Sequence, residues 1–196
     1  MIVWTVQPLS ALEEIRQTGT YRCRKELSFN LSKKNSLKPH YEWLMRQMEQ
    51  RIGEKPDGVE YPVWAWHTWD YARRCPEPDS PAFLRRTEDK VLLTLEIPDE
   101  ELVLTDFDAW QIVMMGGYLM GVEDVERQEQ LEVYLDSLTE QDYQKELEKS
   151  WLRVFYTDTV KLEDLNLGRY IQATFWEIKK QYVSAYQVLS AEEQYK

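Results

Sequence analysis

The sequence predicts a single α+β domain over residues 1–196, a mixed or antiparallel sheet with an N-terminal helix pair and a helical insert. Three observations predict it. Short alternating or β-branched runs of strand length lie near both ends of the chain and at 61–66 and 90–104. Helical spacing gathers near the start and in residues 105–155, segregated from the strands. A chain of 196 residues with 43% hydrophobic content is long enough to bury one core.

Ile2-Val3-Trp4-Thr5-Val6-Gln7 is rich in β-branched and aromatic types and stops at Pro8, so it reads as a strand. Leu9 to Gly19 follows as a helix. Leu12 and Ile15 form its buried stripe, Ser10 and Glu13 have the spacing of a capping box, and Gly19 is its stop. Residues 24–36 mix Lys, Arg, Ser and Asn without a period and read as an exposed loop. From Leu37 to Ile52, Tyr41, Leu44, Met45, Met48 and Ile52 recur at helical spacing before Gly53. Lys55-Pro56-Asp57-Gly58 has the composition of a turn. YPVWAW at 61–66 is strand-like after its proline; Trp64, Trp66 and Trp69 either wall a pocket or pack into core, and at least one is expected to be buried. Pro76, Pro78 and Pro81 hold an irregular loop with Arg73, Arg74, Arg85 and Arg86, whose charges are either solvated or hold a phosphate.

Lys90 to Ile97 is the clearest strand, and Pro98-Asp99-Glu100 turns it towards a short one at Leu102-Val103-Leu104. Thr105 or Asp106 caps a helix that runs through Trp110 and Val113 to Gly116-Gly117. Residues 122–150 are glutamate-rich, with an apolar stripe at Val125, Leu131, Tyr134, Leu135, Leu138, Tyr143 and Leu147, and read as two helices broken near Thr139. Trp151–Phe155 extends the second helix or begins a packed loop, and Leu162–Leu167 reads as a loop or turn. In the stretch Arg169–Glu177, a strand puts Gln172, Thr174 and Trp176 on one face and Ala173, Phe175 and Glu177 on the other. Tyr182–Leu189 alternates again as a closing strand, with a frayed tail from Ser190.

A formal net charge of −11 opposes general nucleic-acid binding, because phosphate backbones are repelled. No charged start followed by an apolar run and no apolar stretch of membrane-spanning length occurs, so a soluble, cytoplasmic protein without membrane contact is expected. Two cysteines, Cys23 and Cys75, fit a reducing compartment, and with His40 and His67 they match no zinc spacing, so no metal is expected. The glycine-rich phosphate loop, nucleophile elbow, H-E-x-x-H and C-x-x-C signatures are all absent.

The segments VWTVQPLSALEEIRQTGTYRC, YPVWAW, VLLTLEIPDEELVLTDFDAW and QATFWEI resemble those of a bacterial family of unknown function with W-x-x-Q, YPVWAW-like and QATFWE-like motifs. A more distant resemblance links IVWTVQPLSALEEIRQTG and Gln172-Ala173-Thr174-Phe175 to the ADP-ribosyltransferase fold. There a first strand bearing a His or Arg and a Thr holds NAD, a helix ending in glycine follows, and in the branch that modifies DNA a Q-A-E segment carries the catalytic glutamate. The resemblance places Trp4 at the family's His position with Thr5 beside it, Gln172 at its Gln, and Thr174 at its glutamate. It implies a cleft lined by Trp4, Thr5, Gln7, Arg22, Trp64, Trp66, Gln172, Thr174 and Trp176 that binds a nucleotide such as NAD or another small aromatic anion. Rings would stack on the base or nicotinamide and Arg22 would pair with phosphate. Thr174 is neutral, so a catalytic carboxylate falls to Glu177, which faces the other side of a regular strand unless a bulge turns it.

A second reading, of a different class, is a non-enzymatic interaction module whose acidic segment 122–150 meets a basic protein partner. Its plain counterpart is a solvated helical face with i,i+4 pairs. In a third reading the chain is an enzyme with Asp106, Asp108 or Glu177 as general base, although paired carboxylates at a helix start, such as Asp106 and Asp108, commonly cap it.

Overall fold

The first strand of the chain becomes an inner strand of a six-stranded sheet. The computed structural model describes residues 1–24, 37–77, 80, 88–121, 124, 127–158, 160–162 and 165–191. The sheet is built from β1 (Ile2–Pro8), β3 (Val63–Thr68), β4 (Lys90–Glu96), β5 (Val103–Asp106), β8 (Ile171–Phe175) and β10 (Val183–Leu189) in the order β10-β4-β1-β3-β8-β5. Every neighbouring pair in it is antiparallel. Two ribbons flank it, β2 (Thr20–Tyr21) with β9 (Ile178–Lys179), and β6 (Val160–Leu162) with β7 (Leu165–Leu167). The helices are α1 (Leu9–Thr18), α2 (Lys38–Ile52), α3 (Phe107–Met114), α4 (Gln128–Asp136) and α5 (Glu140–Ser150). The architecture is the α+β domain expected from the pattern, with its helices at the start and in the insert.

Opposed residues of antiparallel strands share a face. Ala185, Thr94, Trp4, Trp66, Gln172 and Thr105 therefore form one row across all six strands. The opposite face carries Val3, Val63, Ala65, Leu93, Leu95, Ala173 and Phe175, and α1 covers it with Ala11, Leu12 and Ile15. The Trp4 face is divided. At its β5 end Val103, Trp64 and Trp176 lie under Tyr41, Trp43, Leu44 and Met48 of α2 and Trp110 and Val113 of α3, with the 310 turn Trp151–Phe155 beside them. Elsewhere Trp66, Leu92 and Leu189 form a smaller cluster with Trp4, Val6, Trp69, Phe107 and Tyr170.

Several sequence expectations are corrected. The Ser10–Glu13 capping box does not form: Pro8 is the N-cap and no side chain bonds there. Pro8 lacks an N–H and has helix-compatible φ, so the helix starts at Leu9 and Ser10 falls within its first turn. The helix expected to reach Gly116-Gly117 stops at Met114, and Gly116 takes φ 71°. Within Leu162–Leu167, expected to be a loop or turn, Leu162 ends β6 and Leu165–Leu167 forms β7, antiparallel to it; strands of three residues are too short to show a period. Trp151–Phe155 is a 310 turn continuing from α5. Thr139 caps α5 by accepting from the Asp142 N–H, as the break near it suggested. Residues 25–36, Pro78, Pro81, Arg85, Arg86, Val125 and the tail from 192 lie outside the described residues. Among the described residues no helix is long and apolar enough to cross a membrane.

Asp106 ties the sheet to the helical layer. It is 1% exposed; its Oδ1 accepts from the Ala109 N–H at 2.9 Å, capping α3, and its Oδ2 accepts from the Gly168 N–H at 2.7 Å. Burial pushes its pKa up, while these donors hold the charged form. Asp106→Ala leaves both donors unpaired, and about 2–4 kcal/mol of stability is expected to be lost. A urea titration reads this as a lower midpoint at unchanged slope.

Candidate functional site

Strand alternation decides which of the expected cleft residues meet. Trp4, Trp66 and Gln172 lie in the row described above, and Trp64 shares their face two residues before Trp66. Thr5 and Gln7 point the other way, towards α1, because they alternate with Trp4. There Thr5 Oγ1 donates to the Trp64 carbonyl at 2.8 Å and accepts from Gln7 Nε2 at 2.8 Å. Thr174 is on the Trp64 side but fully buried, its Oγ1 donating to the Val103 carbonyl at 3.3 Å. Trp176 is buried too, and its Nε1 donates to the Gly53 carbonyl at 3.2 Å. Arg22 and Glu177 bond each other at 2.9 Å beyond the far end of β8. Glu177 lies five positions beyond Gln172 and past the end of β8, roughly 17 Å along an extended chain, so the carboxylate and the Gln172 amide do not meet one small group.

What surrounds Trp66 and Gln172 is an aromatic ledge. Trp66 meets Trp69 edge-on with ring centroids 4.9 Å apart, and Phe107 at 5.3 Å. Trp69 lies 4.5 Å from Tyr170. Trp66 is buried, whereas Trp4, Trp69, Phe107 and Tyr170 are each only partly buried. The Gln172 side chain makes no hydrogen bond to a described residue, although its backbone carbonyl receives Thr105 Oγ1 at 3.5 Å. Trp64, packed against Trp110 at 5.4 Å, has a buried indole N–H without a hydrogen-bond partner among the described residues.

A strained turn stands at the end of the ledge. Trp69 and Ala72 exchange backbone hydrogen bonds of 2.9 and 3.2 Å around Asp70 and Tyr71, which adopt φ 52° and 62°. Such two-residue turns ordinarily use Asn-Gly, and a left-handed non-glycine residue costs on the order of 1 kcal/mol or more. The Tyr71 N–H donates to the Arg169 carbonyl at 2.9 Å, and Arg169 Nε donates to Asp70 Oδ1 at 2.9 Å. An Arg74 guanidinium nitrogen lies 3.7 Å from Asp70 Oδ2. Two guanidinium groups thus share the Asp70 carboxylate, and the Arg169 charge also acts on Asp108, where burial pushes the pKa up and this charge works against it. Arg169 also lies over the Tyr170 ring at 4.8 Å.

Sequence reasoning missed Phe107, Tyr170, Arg169 and the Asp70–Tyr71 turn. Trp69 had been visible as the third tryptophan of its run, but Asp-Tyr carries no hairpin signal, and Arg169 meets Asp70 only through the pairing of β3 with β8.

His67 lies in a separate polar contact. Its Nδ1–H donates to Thr68 Oγ1 at 2.9 Å and its Nε2 accepts from Arg73, which also donates to the Ile2 carbonyl at 2.9 Å. Burial first, then the Arg73 charge, push its pKa down to about 4. The unfolded ring titrates near 6.5, so this contribution is complete above that pH and is lost as pH falls towards about 4. The loss is on the order of 1–2 kcal/mol once partial exposure of the ring is allowed for. His67→Gln is expected to flatten the stability profile across that window in urea titrations.

Cys23 and Cys75 are free, and burial raises both thiols to about 11, so neither is a poised nucleophile. Among the described residues no three His, Cys, Asp or Glu side chains gather as metal ligands. A depression along α2, lined by Arg46, Glu49, Gln50, Glu54 and Lys55, contains none of the ledge residues.

No curated protein and no solved structure matches the chain. A family model does, over residues 2–184, from β1 to the start of β10, and it takes in the whole aromatic ledge. The chain belongs to the family described as a domain of unknown function, DUF3841.

Proposed function

We propose that the protein binds a nucleotide such as NAD on the aromatic ledge. A planar ring stacks on Trp69 and Tyr170, the Gln172 amide hydrogen-bonds the edge of that ring, and the phosphate lies against Arg169 and Arg74. The observation that supports this reading is a convergence on one side of the sheet: partly exposed rings, an unengaged carboxamide and two guanidinium groups. Aromatic faces and arginines are the groups that recognise a base and its phosphates. The reading is one of binding. Thr174 supplies no carboxylate, and Glu177 is neutralised by Arg22 at the other end of β8. Thermal-shift measurements with NAD, ADP-ribose, AMP and inorganic phosphate test it. At a hundredfold excess over Kd a ligand stabilises by about 2.7 kcal/mol, roughly 5–10 °C for a chain of this size. The nucleotides are expected to raise Tm more than phosphate does, and no shift with any of them counts against the reading.

The interaction-module reading has its own observation. α4 buries none of its residues and leaves Val133 and Tyr134 71% and 47% exposed beside Glu129, Glu132 and Asp136. That face suits a basic protein partner with an apolar centre. Cross-linking in cell extract is expected to lose a product when Glu129 and Glu132 are changed to lysine; an unchanged pattern removes this reading.

A further inference from the structure

The two edges of the sheet are unlike. β5 is four residues long, three of its side chains are buried, and it lies beside the Trp151–Phe155 turn. β10 is seven residues long, is bonded to β4 on one side, and is exposed from Ser184 to Val188. We propose that β10 is a self-association edge, pairing antiparallel with β10 of a second copy to form one continuous sheet across a two-fold axis.

An edge strand presents a row of unpaired N–H and C=O groups, which proteins blunt with charges, prolines, bulges or short length. VSAYQVL holds neither a charged residue nor a proline. Its one irregularity lies between Val183 and Ala185, leaving Ala185 to Leu189 in unbroken register with β4. The charge pattern selects the occupant. In a chain of net charge −11, β10 is a strand along which two copies can align without placing like-charged side chains opposite each other. Pairing centred on Tyr186 sets the two Tyr186 rings across from each other and Val188 across from Ser184. Tyr186 and Val188 are 52% and 49% exposed and available for that contact. Arg16 already fixes the Tyr186 ring, with its guanidinium over the ring at 5.1 Å and its NH2 donating to the hydroxyl at 2.9 Å. With one such edge per chain among the described residues, the assembly closes at two copies.

Light scattering coupled to size exclusion on the full chain tests the proposal, with far-UV circular dichroism and melting as the check on folding. The wild type is expected to run as a dimer. Tyr186→Lys sets two like charges directly opposite each other at the axis, and Gln187→Lys, on the other face of the strand, sets two on the diagonal across it; each is expected to give folded monomers. If one variant fails to fold, the other decides. A wild type that stays monomeric at tens of micromolar, an assembly larger than two, or a dimer that survives in the folded variants overturns the proposal.

Discussion

Thr174→Glu, which restores a carboxylate at the position the ADP-ribosyltransferase resemblance asks for, is expected to unfold the domain rather than create a transferase. Thr174 is 0% exposed, and its strand neighbours are Trp64 on β3 and Val103 on β5. The one hydrogen bond its side chain makes among the described residues is donated to a carbonyl, which an ionised glutamate cannot replace. An unpaired carboxylate buried there costs several kcal/mol, against a total stability for a domain of about 5–15 kcal/mol. The expected result is insoluble protein, or a melting transition lowered by ten degrees or more on the same reckoning. Thr174→Val is the control: it loses one long hydrogen bond, about 1 kcal/mol, and keeps the shape. A Thr174→Glu protein that melts with the wild type would show that this position opens to solvent or a ligand.

The second large effect is expected on nucleotide binding. Trp69→Ala removes a stacking surface, which in base recognition is worth about 1–3 kcal/mol, so Kd is expected to rise between fivefold and more than a hundredfold. Gln172→Ala is expected to raise it about tenfold through one lost hydrogen-bonding group. Arg169→Glu reverses the charge next to Asp70 and is expected to weaken phosphorylated ligands while sparing the bare base. Thr5→Val, across the sheet, leaves the affinity unchanged because its hydroxyl serves Trp64 and Gln7 on the α1 side. Isothermal titration across this set separates ring stacking from phosphate pairing.

The strands were legible where alternation is long. Lys90–Glu96 and Ile2–Pro8 follow their pattern almost to the residue. The helices of the insert were legible from spacing and from the Thr139 cap. The candidate site was half legible. Trp4, Trp66 and Gln172 do share one row, but grouping them with Thr5 and Gln7 set aside the alternation of a single strand. The remaining partners depend on long-range pairing that no local pattern encodes. Asp106 announces itself as a cap, yet its second bond reaches Gly168, and Arg22 finds Glu177 only once β2 pairs with β9. The Asp70–Tyr71 turn was invisible for a different reason: it uses residues that seldom adopt the left-handed region, and the contacts with Arg169 hold them there.

Nucleotide binding on the aromatic ledge is read most directly from the indole N–H resonances of the eight tryptophans. Assigned by single substitution, these signals are followed in a nitrogen-15 spectrum while NAD or AMP is added. Saturable shifts are expected at Trp66 and Trp69, with smaller ones at Trp4 and Trp64, while Trp43, Trp110, Trp151 and Trp176 stay in place. Shifts confined to those last four, or none at any of the eight at millimolar ligand, would contradict binding on the ledge.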